Sequence, residues 1–235
     1  MINYPPLTSA FLGLGNAWRI LIPLMVVLSL MSGCAGRQGR TETPTPAEIR
    51  AKAWAPYAQV LSAALTASKS DTERSYQPGQ GGHCDELLTY LIEVARTRGR
   101  AVEVWPVAVL SKVFAQNRGV VYGSASADEK TFMVAMELES CGRAEVLAHE
   151  LAHLVAVNAP VSWSNPDQQE VFMDLVQWGW LAALGYDSRE ATVTYLSFYV
   201  TPEMGTEAAW QDAVLASVAA GVASTRAVMP PSPQP

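Results

Sequence analysis

Two histidines stand four residues apart in this chain, with an acid directly after the first: His149-Glu150-Leu151-Ala152-His153. On a helix, at about 100° per residue, positions 149, 150 and 153 fall within one wedge about 100° wide. Two imidazoles one turn apart can both reach a single Zn2+ at about 2.0–2.1 Å, and the Glu150 carboxylate projects beside them. Zinc in that place lowers the pKa of a bound water towards about 7 and polarises a carbonyl, while Glu150 takes and returns the proton. Leu147, Leu151 and Leu154 fall outside the wedge, so the helix has an apolar back to bury and a polar front for chemistry. A solvated helix carrying two exposed histidines is the plainer alternative. The apolar frame of Val146, Leu147, Leu154 and Val155 argues against it.

Two histidines do not complete a catalytic zinc site, which takes three protein ligands and keeps one position open. The remaining histidine, His83, lies far upstream in a polar, glycine-rich stretch and is a poor candidate. Glu170 is the better third ligand. Asp174 follows it by four residues on the same helical face, placed to accept the free N–H of a ligating imidazole and fix its tautomer. Acids near a helix start can also be mere surface charges favoured by the helix dipole. That reading suits Glu170 better than Asp174, whose neighbours Phe172, Met173 and Leu175 are apolar.

The elements that must position these groups are readable from periodicity. Residues 142–157 are helical, and Asn165-Pro166 opens a second helix with Gln168 set for a capping-box contact, running to Leu184 and stopped by Gly185. Residues 85–98 form an amphipathic helix ended by Gly99, and residues 48–67 a helix that Pro56 should kink or split. Val-rich residues 101–113 and the looser alternation of 131–138 read as strands, with turns at 117–119 and 123–124. Residues 187–198 and 203–226 are further helices separated by Pro202, and 68–83 is a long surface loop, expected to be disordered in preference to forming a lid. The expected fold is α+β: helix-dominated, with a small antiparallel or mixed sheet beside the helix of His149 and His153.

The run Glu145 to His153, followed by Glu170-Val171-Phe172-Met173-Asp174 and then Leu184-Gly185-Tyr186-Asp187, resembles the gluzincin peptidases grouped with HtpX and the CAAX prenyl endopeptidase. The resemblance spans about residues 101–200 and implies a zincin-like fold. It also implies zinc ligands at His149, His153 and Glu170, a catalytic base at Glu150 and an orienting role for Asp174. The edge strand that binds extended substrate in that family would correspond to Thr131–Leu138. The short connection from His153 to Glu170 is also similar to compact zinc peptidases of the ImmA/IrrE type. An oxyanion-stabilising donor is required as well, and Tyr186, Tyr195 and Tyr199 lie downstream as candidates. Trp163, Trp178 and Trp180 read as packing residues.

Composition bounds the setting. The 235 residues carry a net charge of −6, with no basic run, which argues against nucleic acid as a partner. No apolar stretch is long enough for a polytopic membrane protein. Residues 1–33 carry one charge, Arg19, then an apolar core ending Met31-Ser32-Gly33-Cys34. That layout is a secretory signal peptide, and its end resembles the lipobox of bacterial lipoproteins, with Cys34 the lipidated residue. Residues 34–47 then read as a lipidated cysteine and flexible tether, 48–228 as the catalytic-type domain and 229–235 as a disordered proline-rich tail. The expected location is the membrane surface of the bacterial cell envelope, and Ala35 after the cysteine points to the outer membrane. Cys84 and Cys141 are left as an even pair, either a disulfide in an oxidising compartment or two buried thiols. Two functions fit these residues: a zinc endopeptidase acting on protein or peptide, or a non-catalytic lipoprotein whose structural zinc supports binding or assembly.

Overall fold

The computed structural model describes residues 44–67, 84–114, 120–126, 130–156 and 161–230. Cys34, His83, the loop 68–83, the leader, residues 34–43 of the tether and 231–235 of the tail lie outside the described residues.

Helix α1 (Pro46–Thr66) begins at a capping box, with the Thr45 side chain accepting from the Glu48 N–H and Glu48 accepting from the Thr45 N–H. It runs unbroken through Pro56, contrary to the expected split. Proline removes one backbone hydrogen bond, but Pro56 lies on the exposed face. On the opposite face Trp54, Tyr57, Val60, Leu61 and Ala64 hold the helix to the core. Helix α2 (Cys84–Thr97) is amphipathic and buries Leu91, Val94 and Ala95.

Strand β1 (Ala101–Trp105) stops before Pro106, and residues 107–114 form a helix, α3 (Val107–Phe114), where a strand was expected. The valine content favours a strand, but the Glu137 carboxylate accepts the Val107 N–H at 2.8 Å and caps a helix start. Val107, Leu110 and Phe114 then pack on one side, at helical spacing. Strands β2 (Gly123–Ala125) and β3 (Thr131–Ala135) complete a mixed sheet ordered β1-β3-β2, with β1 parallel and β2 antiparallel to β3. Two expectations are thereby corrected. Residues 123–124 belong to a strand, not a turn, and the segment expected at the sheet edge is its centre. The burial of Phe132, Met133, Val134 and Ala135 explains why the alternation of that segment was loose.

Helix α4 (Ser140–Val155) packs on α2, β3 and β2, burying Leu147, Ala148, Leu151 and Ala152 completely. Helix α5 (Pro166–Ala183) starts at Asn165, whose side chain accepts the Gln168 N–H at 2.8 Å, while Gln168 reaches back to the Ser164 N–H at 2.9 Å. It ends in a Schellman arrangement: Gly185, at φ 86°, donates to Ala182 O, and Tyr186 N donates to Leu181 O. Helices α6 (Arg189–Leu196) and α7 (Ala208–Val228) follow. Trp180 of α5 is wholly buried and donates its indole N–H to Thr225 Oγ1 of α7 at 2.9 Å. The architecture is α+β and helix-dominated, with one core between α1, α5 and α7 and a second between α2, α4, α5 and β3. No helix among the described residues is long and apolar enough to cross a membrane.

Cys84 at the start of α2 and Cys141 at the start of α4 are joined as a disulfide, with Cα atoms 4.9 Å apart. Ser140 hydrogen-bonds the Asp85 carboxylate beside the bridge. The bridge closes a loop of 57 residues, which predicts that Cys84→Ser with Cys141→Ser lowers stability by about 2–4 kcal/mol. Denaturant unfolding measures this, and an unchanged midpoint would reject the pairing.

Candidate metal centre

Helices α4 and α5 pack against one another, and the residues between them bring several titratable groups together. His149 Nδ1 lies 2.8 Å from Asp174 Oδ1, and His149 Nε2 lies 3.2 Å from Glu170 Oε2. One ligand atom from each of His149, His153 and Glu170 lies within 4.8 Å of the other two, so this group can hold a metal ion. The two imidazole rings are 5.1 Å apart, as expected one helical turn from each other.

Two features of this geometry suit a cation. Ligand atoms each about 2.0–2.1 Å from a tetrahedral Zn2+ stand about 3.3 Å apart, and the Nε2–Oε2 separation is 3.2 Å. The hydrogen-bond pattern also calls for a proton or a cation between these two atoms. With the Nδ1 proton donated to Asp174, a neutral His149 turns the lone pair of Nε2 towards a carboxylate oxygen, acceptor facing acceptor. A second proton on the imidazole, a proton on the Glu170 carboxyl, or a metal ion resolves that clash.

Burial and charge set the protonation of the groups in opposite directions. Burial pulls His149 down, but the Asp174 carboxylate and then Glu170 outweigh it and hold the imidazole well above its usual range. For His153 only the Glu170 charge opposes burial, and it does not prevail. Burial, reinforced by the charge on His149, lowers it to about 4, leaving the ring a neutral donor. Burial pushes Glu150 up to about 7, with His149 opposing and Glu170 adding to the rise. Asp174 is raised to about 6 by burial, against the pull of His149. Glu150 thus stands beside the imidazole pair, where a general base for a water in this site would be needed.

Strand β2 reaches this site through Gly123. A Cβ there would overlap Val146 of α4 and stand 3.3 Å from Glu150 Oε1, so only glycine lets the strand lie against the carboxylate. Sequence reading missed this contact, because a glycine followed by a serine reads as a turn. The tyrosine candidates separate cleanly. Tyr186 donates its hydroxyl to Glu145 Oε1 at 2.9 Å and ties the end of α5 to α4. The Tyr195 ring lies 6.3 Å from that of His149 and 5.1 Å from that of Tyr199. Burial first, then the Asp174 and Glu170 carboxylates, raise the Tyr195 hydroxyl pKa and keep it a proton donor. Trp163 packs edge-on to Phe172, Trp178 packs edge-on to Tyr57, and Trp180 lies in the core. All three are therefore packing residues.

Comparison of the chain with protein-family models, curated proteins and solved structures returns no match. The chain is an α+β protein in which His149, His153 and Glu170 form a group able to bind a metal.

Two outcomes follow. Asp174→Ala removes the acceptor that orients His149 and should weaken zinc binding by about 10–100-fold. Competition with a chromogenic chelator reads this, and unaltered affinity would deny Asp174 that role. Gly123→Val should lower stability by about 1–3 kcal/mol through overpacking against Val146. An unfolding midpoint equal to wild type would mean that β2 does not lie on α4.

Proposed function

We propose that the protein is a zinc metallopeptidase of gluzincin type, tethered to the bacterial cell envelope and hydrolysing peptide bonds. The observation that carries this reading is the convergence of His149, His153 and Glu170 within 4.8 Å, beside the buried Glu150 carboxylate. Three protein donors leave a fourth position free, as catalysis requires and a purely structural zinc does not. Bound there, Zn2+ supplies Lewis acidity and an acidified water.

The chain's own residues do the rest. His149 and His153 hold the ion, with Asp174 fixing the His149 tautomer, and Glu170 balances its charge. Glu150 accepts a proton from the attacking water and returns it to the leaving amine. Tyr195, whose ring lies 6.3 Å from that of His149, is the candidate donor for the developing oxyanion. The open side of β2, next to Glu150, suits an extended peptide added as a fourth strand, in place of the 131–138 segment.

The lipobox at Met31–Cys34 and the Cys84–Cys141 disulfide both support an extracytoplasmic location on a membrane surface. Glu150→Gln should retain zinc at one ion per chain while peptide hydrolysis falls at least ~100-fold. Metal analysis and cleavage of an unstructured protein substrate by the wild-type and variant chains measure this. Equal cleavage by the two would refute Glu150 as the base, and no cleavage by either in the zinc-loaded form would refute the peptidase.

A further inference from the structure

We propose that Thr192 is a positioning residue for the metal centre, holding through one bound water the Asp174 oxygen that His149 leaves unused. This rests on zinc binding by the His149 group and not on the hydrolysis proposed above.

Asp174 engages His149 Nδ1 with Oδ1, at 2.8 Å. Its Oδ2 is shielded from solvent and meets no hydrogen-bond donor among the described residues. A carboxylate oxygen so placed carries the cost of its lost hydration unless a donor reaches it. Thr192 Oγ1 of α6 is the complementary case, equally shielded and equally without a partner.

The two atoms belong to one seam. Helix α6 turns back along α5 after Gly185, and contacts fix its course at both ends. Gln177 of α5 meets Ser188, the residue before α6, with Nε2 3.5 Å from Oγ. At the far end of α6 the Tyr195 ring lies 6.3 Å from that of His149, the imidazole that Asp174 and Glu170 engage. Between these contacts, Thr192 stands one turn beyond Ser188 and Asp174 one turn before Gln177. The antiparallel course therefore sets the threonine opposite the aspartate. Asp174, Gln177, Ser188 and Thr192 are each 5% exposed or less, so the seam is polar and closed to bulk solvent.

Shielded polar atoms that share a closed seam without bonding one another are the setting in which a buried water is retained. Such a water accepts the Thr192 O–H and donates to Asp174 Oδ2. With both its oxygens engaged, the carboxylate no longer swings about its Cβ–Cγ bond. Oδ1 then stays on His149 Nδ1, and Nε2 stays turned towards the ion.

The test uses the full-length chain and zinc alone, read by competition with a chromogenic chelator. Thr192→Val keeps the shape of the side chain and removes its hydroxyl, and zinc affinity should fall about 3–10-fold, the worth of one hydrogen bond. Thr192→Ser keeps the hydroxyl and should recover most of that affinity. In an Asp174→Ala background, Thr192→Val should change the affinity no further. Wild-type affinity in Thr192→Val, a serine variant as weak as the valine one, or an undiminished valine effect without Asp174 would each overturn the assignment while zinc binding stands. A crystal structure of the wild-type chain decides independently of how the variants fold. A water within about 3.2 Å of both oxygens is expected, and protein groups bonded to those oxygens in its place would overturn the proposal. Absence of stoichiometric zinc in wild type would strike the metal centre itself, and this inference with it.

Discussion

Unbalanced negative charge between α4 and α5 is the constraint around which this structure is arranged. Glu150 and Asp174 are 9% and 5% exposed, and Glu170 points its carboxylate at the same imidazole that Asp174 engages. Buried carboxylates cost several kcal/mol each unless positive charge or hydrogen bonds answer them. Here the answering groups are two imidazoles, of which only His149 is held towards its protonated form. A divalent ion among His149, His153 and Glu170 would supply the charge that one imidazolium supplies incompletely. The cluster is therefore costly for a simple structural ion pair and well suited to a metal.

The surrounding fold keeps those groups in register. The disulfide pins the start of α4 to α2, and Leu147 and Leu151 fix its rotation by burying its back. The Gly185 turn aims Tyr186 at Glu145, one helical turn before His149, and so links the far end of α5 to α4. On the other side Gly123 lets β2 touch both Val146 and Glu150. Each device acts on the spacing of α4 from a neighbour, which a constellation drawn from two helices and a strand depends on.

What could be read from sequence was what is local. The helical spacing of His149, Glu150 and His153, and that of Glu170 and Asp174, follow from 3.6 residues per turn, and the structure places these groups together. The helix-dominated α+β class followed from the same periodicity. The errors arose where distant residues decide. Valines at 107–113 favour a strand until Glu137, far along the chain, caps a helix at Val107. Gly123 and Ser124 look like a turn until β3 pairs with them. That Tyr195 lies beside His149 while Tyr186 bonds Glu145 depends on packing between distant elements, which local sequence does not mark.

The most direct test of the central claim is where zinc sits. X-ray absorption at the zinc edge on the metal-loaded full-length chain, alongside His153→Ala and Glu170→Ala, reports the donor set. One zinc per chain is expected, with two imidazole nitrogens at about 2.0–2.1 Å and the remaining shell oxygen, losing one nitrogen in His153→Ala and keeping both in Glu170→Ala. Zinc bound with the same donor set in all three proteins, or no stoichiometric zinc in wild type, would contradict it.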